Sequence, residues 1–153
     1  MNVSSATSPP TPVGLLGYGG LVPFIVLALV IPFSDEQGEF LGRALVAYGA
    51  VILSFVGALH WGFAMTLHDM SPEQRRTRFV WSVLPALIAW PSTLLPVPLG
   101  CVLLIAGFAA HYWQDRHMVR ALRLPDWYLP LRIQLTSVAS VCLLVGAIAV
   151  AIR

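Results

Sequence analysis

Charge is what this sequence has least of. Only 10% of its 153 residues are Asp, Glu, Lys or Arg, where soluble domains carry about a quarter. The few charges are bunched, which leaves long uncharged tracts between them. A chain this poor in charge and 58% apolar argues against a soluble domain and predicts an integral membrane protein. It has no basic tail and no arginine stripe interleaved with aromatics, which leaves nucleic acid unsupported as a partner. Cysteine is nearly absent. Cys101 and Cys142 lie in apolar tracts, spaced for neither a CxxC site nor a disulfide framework, and read as small buried hydrophobes. The first dozen residues, MNVSSATSPPTP, hold no basic residue, so neither a cleaved signal peptide nor a mitochondrial transit peptide is supported. A serine nucleophile elbow, HExxH, a glycine-rich phosphate loop and a carboxylate pair are all missing. No catalytic residue and no metal ligand is therefore assigned.

What is present is a series of apolar runs. Residues 1–12 read as a disordered tail and 13–153 as a single transmembrane helical domain. The central run, 44–67, contains no Asp, Glu, Lys or Arg and is long enough to cross a bilayer with some tilt. Flanking it are spans at about 13–31, 79–96, 98–114 and 133–151. The fold predicted is an all-α membrane bundle of about five helices. Pro23 is expected to kink the first span, and Gly14, Gly17 and Gly20 to let a neighbour approach. Pro85 and Trp90-Pro91 make the third span short or broken, so 79–114 has a second reading as a re-entrant hairpin. Segments 68–78 and 115–132 carry the arginines, 32–43 is acidic and 91–97 is uncharged. The positive-inside rule then puts the N terminus in the cytoplasm and the C terminus outside.

Two histidines interrupt the apolar runs. By this topology His60 and His111 lie at comparable depth on different helices. As a pair they are candidate cofactor-binding residues, for haem b or a quinone, or members of a proton relay. They read equally as imidazoles hydrogen-bonded to neighbouring helices, in which case no cofactor is expected. Asp115 lies four residues after His111, on the face that Gly100, Leu104 and Gly107 continue, and can hold the imidazole in one tautomer; beside Arg116 it also reads as an interfacial ion pair. Arg116, Arg120 and Arg123 would form a basic stripe at lipid headgroups. Trp127 and Tyr128, between Pro125 and Pro130, read as an interfacial anchor, and Ser54, Ser82 and Thr136 as interhelical hydrogen-bond partners.

Three stretches resemble a known family. Ser54-Phe55-Val56-Gly57-Ala58-Leu59-His60-Trp61-Gly62 is similar to the signature of the DUF3429 family of small inner-membrane proteins. Trp81-Ser82-Val83-Leu84-Pro85-Ala86-Leu87-Ile88-Ala89-Trp90 is similar to its second block. Asp115, with Trp127-Tyr128 and Leu131-Arg132, is similar to its third; His111 belongs to none of them. The resemblance implies a multi-pass inner-membrane protein and brings no established activity or active site. The expected role is a non-enzymatic structural, accessory or assembly factor, with membrane lipids and a membrane complex or second copy as partners. Two other readings stay open: a haem- or quinone-associated redox subunit, and a small homo-oligomeric channel or transporter. In the leading reading, Ser54, Gly57, Trp61, Gly62, Trp81, Pro85, Trp90, Asp115, Trp127 and Arg132 are structural or interaction residues.

Overall fold

Peptide groups inside lipid find no water to bond, so apolar runs of this length satisfy themselves by coiling into helices. The computed structural model describes residues 8–67, 70–121 and 124–152, and every regular element in them is helical. The elements are α1 (Thr11–Gly19), α2 (Val22–Val30) continued by a 3-10 turn (Ile31–Phe33), α3 (Gly38–Thr66), α4 (Pro72–Ser92), α5 (Val97–Ala121) and α6 (Tyr128–Ala151). Among the described residues, four segments are long and apolar enough to cross a membrane: Thr11–Phe33, Gly38–Thr66, Val97–Val119 and Tyr128–Ala151. α4 runs for 21 residues, about 30 Å, with arginines in its first turns. The fold is an all-α, multi-span membrane bundle.

Several boundaries differ from those expected. Of the proposed tail, residues 1–7 lie outside the described residues, and helix begins at Thr11. The first span breaks at Gly20 and Leu21, between α1 and α2, rather than kinking at Pro23. Pro23 instead lies in the first turn of α2, where its missing N–H costs no helical bond. The third span is not broken. Pro85 and Pro91 both lie inside a continuous α4, and α5 extends over 25 residues. Residues 79–114 thus comprise parts of two continuous helices joined by a tight turn, of which α5 but not α4 is among the segments apolar enough to cross a membrane.

Local chemistry explains why α4 starts early. Ser71 and Gln74 form a reciprocal capping box, Gln74 N–H to Ser71 Oγ at 3.2 Å and Ser71 N–H to Gln74 Oε1 at 2.9 Å, with Pro72 at the first helical position. Arg75, counted as a loop charge, donates to the carbonyls of Ala64 and of Leu67, the latter at 3.0 Å. It thereby satisfies orphan acceptors at the C-terminal end of α3. Above this turn α3 and α4 approach closely at Gly57: a Cβ there would lie 2.8 Å from Pro85 Cβ and Cγ.

The main core joins α2, α3, α5 and α6 through Phe24, Ile31, Leu45, Leu53, Leu104 and Leu143. A second, smaller cluster of Met70, Met118 and Tyr128, with Phe63 and Leu67 packed on it, closes the end where α3 meets α4 and α5 meets α6. Both arginine-bearing connections are therefore at one end of the bundle. The hydroxyls expected to bridge helices do not. Ser54 donates to Ala50 O and Ser82 to Phe79 O within their own helices, and Thr136 Oγ1 has no partner.

Candidate functional site

Between the two apolar clusters lies a patch of buried polar side chains. On α5, Gly100, Leu104, Gly107, His111 and Asp115 are all buried, the single face their spacing predicts. Asp115 is therefore not an interfacial partner of Arg116, which is exposed. Its Oδ1 lies 2.9 Å from His60 Nε2 of α3 and accepts the Tyr128 hydroxyl of α6 at 3.2 Å. Its Oδ2 accepts Arg132 Nε of α6 at 2.8 Å. Three donors from two helices thus converge on one carboxylate, giving it charge-assisted hydrogen bonds on both oxygens.

The histidines come together, with ring centres 4.9 Å apart. Because an ionised carboxylate only accepts, His60 donates through Nε2, which leaves Nδ1 buried without a partner. Trp81 of α4 donates its indole N–H to His111 Nδ1 at 3.1 Å. Indole is a donor only, so a neutral His111 carries its proton on Nε2. That nitrogen is 3.9 Å from Asp115 Oδ1, too far for a hydrogen bond.

Arg78 adds a second cation. It is 7% exposed and keeps Nε and Nη1 unpartnered. Arg132 Nη2 is also buried and unpartnered. With neutral imidazoles the patch holds one carboxylate and two guanidiniums, a surplus of positive charge enclosed in the bundle.

His60, His111 and Asp115 each offer a ligand atom within 4.8 Å of the others, a two-imidazole, one-carboxylate set of the kind that binds divalent transition metals with positions left open. Binding would take Oδ1 away from Tyr128 and set the ion among two guanidiniums. A six-coordinate haem fits less well. Imidazoles on opposite sides of an iron, each bonded at about 2 Å, hold their ring centres roughly 6 Å apart, and these two lean toward one carboxylate oxygen at closer spacing.

The remaining expected residues divide between this patch and the outside. Tyr128 is buried and bonded to Asp115 rather than anchoring at the interface, with Trp127 tilted against it at 6.3 Å. Trp61 points outward, edge-on to Phe79 at 4.9 Å. Trp90 is exposed, and Gly62 has no neighbour within 4 Å of a Cβ, so it serves no close packing. Of the arginine stripe, Arg116 is exposed, while Arg123 and the Arg120 side chain lie outside the described residues.

Reading the sequence overlooked Arg78 and the inward turn of Tyr128. The signal was periodicity: Arg78, Ser82, Pro85, Ala89 and Ser92 form the buried stripe of α4, and Tyr128, Arg132, Thr136 and Ala139 belong to that of α6. Residues from all three family-like stretches, namely His60, Trp81, and Asp115 with Tyr128 and Arg132, meet in this patch.

A family model described as "Protein of unknown function (DUF3429)" matches residues 9–148. Transmembrane protein 69 of Xenopus tropicalis is 34% identical over 154 residues, covering 96% of this chain and 57% of that protein. Transmembrane protein 69 of Mus musculus is 29% identical over 142 residues, covering 91% and 56%. The chain thus spans little more than half the length of these curated relatives. No solved structure matches.

Proposed function

This chain belongs to the DUF3429 family, and on that premise we propose that it works in the inner membrane as a non-enzymatic accessory or assembly protein. The observation that carries this reading is how the buried polar groups are used. Asp115 takes donors from α3 and α6, and His111 on its own helix takes one from α4. One carboxylate and its neighbour therefore tie four helices into a fixed arrangement. A channel needs a continuous polar path through the bundle, whereas buried polar side chains described outside this patch, such as Ser92 and Thr136, stand apart in an apolar cluster that joins α2, α3, α5 and α6. A haem subunit needs imidazoles opened toward a porphyrin, whereas His60 is bonded to Asp115 and His111 to Trp81.

In the orientation that goes with this reading, the end bearing Arg76 and Arg116 faces the cytoplasm, and the end with Asp35, Glu36 and the exposed Arg43–Glu39 pair faces outward. Reporter fusions in the turns after α3 and α5 should both report the cytoplasm. The functional test is purification in gentle detergent followed by mass spectrometry. A membrane complex recovered reproducibly with the wild-type chain supports the proposal. A Soret band lost in His60→Ala, or ion flux in proteoliposomes, overturns it.

The donor set of His60, His111 and Asp115 supports a second reading, a transition-metal site. Metal analysis after dialysis against zinc or iron distinguishes the two. Stoichiometric metal that is lost in His111→Ala favours the second reading, and none favours the first.

A further inference from the structure

The break in the first span does more than bend it. Where α1 gives way to α2, a crevice opens against α3, α5 and α6, with a cavity of about 100 Å³ inside an open space of about 510 Å³. Leu21, Phe24, Phe55 and Phe108 line it with apolar and aromatic surface, and Arg132 and Thr136 are its polar lining. The backbone carbonyl of Gly20 at the break is already satisfied by the Tyr48 hydroxyl at 2.8 Å. The side chains are not. Arg132 is 5% exposed and Thr136 9%, and each keeps a polar atom, Nη2 and Oγ1, buried without a partner. Buried donors left open in an apolar site are costly unless a ligand or water supplies an acceptor.

We infer that this crevice binds the head of a neutral, planar carbonyl amphiphile of the quinone class, its tail leaving through the opening into lipid. Three features select that chemistry. An N–H and an O–H donor call for an acceptor oxygen. Among the described lining residues Arg132 is the one cation, and it is already paired with Asp115 at 2.8 Å, while Arg78 does not line the crevice. A neutral acceptor oxygen meets its open N–H, whereas a carboxylate or phosphate head would add a buried anion beside Asp115. Phe24, Phe55 and Phe108 in the lining offer aromatic surface to a ring. Since the cavity of about 100 Å³ is smaller than the ~150 Å³ space known to admit benzene, the head is a single ring that reaches into the open part of the crevice. The inference concerns binding alone and is independent of the role proposed for the Asp115 patch.

The test uses the full chain in lipid nanodiscs with three probes that share a decyl tail: a decyl benzoquinone, decanoate and decane. Saturable binding of the quinone above empty nanodiscs, with decanoate and decane at background, is the expected result. Thr136→Val removes one donor while leaving the Asp115 contacts intact, and should weaken the quinone about tenfold. Enlarging Ala139, which also lines the crevice, to Leu should abolish binding. Decanoate binding as tightly as the quinone, no saturable binding of any probe, or unchanged affinity in both variants overturns the inference.

Discussion

Asp115→Ala is the most informative single change. Asp115 and His60 are fully buried and Arg132 nearly so, so the variant leaves the donors of His60, Tyr128 and Arg132 facing one another without an acceptor. Removing one partner of a buried ion pair costs about 3–5 kcal/mol, because the other charge stays desolvated. The two further hydrogen bonds add less than their separate worth, since the tyrosine hydroxyl can rotate and the imidazole can exchange its proton. A loss of about 3–5 kcal/mol is therefore expected, large beside a typical domain stability of about 5–15 kcal/mol. The assay is denaturant titration in mixed micelles followed by tryptophan fluorescence. The same reasoning makes a second claim. Asp115→Leu combined with Arg132→Met removes the bonded pair and leaves Arg78 as Asp115→Ala does, so it should be more stable than Asp115→Ala alone, as replacing a buried pair with apolar groups is often neutral. If Asp115→Ala stays within about 0.5 kcal/mol of wild type, the range of ordinary surface changes, or if the double variant is worse than the single, the patch is not a desolvated ion-pair centre.

Other outcomes follow from the packing. Gly57→Ala should destabilise by about 1–3 kcal/mol, because its new methyl meets Pro85 at 2.8 Å in a wall that cannot fold away. Gly62→Ala, with open space around it, should be neutral or stabilising by up to about 1 kcal/mol, and thermal unfolding in detergent compares the two. Ser71→Ala should lose about 1 kcal/mol through its cap, and Arg75→Ala a similar amount at the end of α3, both read by hydrogen exchange in the α3–α4 turn. Nitrogen NMR of the wild type should show His111 protonated on Nε2, and Trp81→Phe should populate the other tautomer.

How much of this was legible follows from what helical periodicity can carry. The apolar runs of α3 and α6 announced themselves, because no charge falls in 44–67 or 133–151. Asp115 and His111 were found on one face for the same reason. What failed was the reading of residues by type. Proline suggested a broken third span, yet Pro85 fits against Gly57, a contact visible only once α3 and α4 are packed. Tyrosine beside tryptophan suggested an interfacial anchor, yet Tyr128 is on the stripe that turns inward with Arg132. Ser54 and Ser82 suggested bridges between helices, yet a hydroxyl in a helix can bond back to its own turn. His60 lies closer to Asp115 than His111 does, although only His111 shares its helix, because a distance across helices is set by packing and not by spacing along the chain.

The arginines show why such residue types mislead in a membrane bundle. Charge near the ends of spans is ordinarily read as topology, on the premise that it faces water. Here Arg75 holds carbonyls of α3, Arg132 holds Asp115, and Arg78 is enclosed. Of the described arginines at this end, only Arg76 and Arg116 are exposed. The buried ones lie within about two turns of their helix starts, roughly 10 Å, where the cost of carrying charge into the bilayer is below its midplane value. A folding chain can therefore bring them in against Asp115 without drawing an ion to the membrane centre. The same placement lets Arg75 tie α4 to α3 and Arg132 tie α6 to α5. On that account an inner position, not exposure, is what separates an arginine whose loss unfolds the bundle from one whose loss weakens only its orientation.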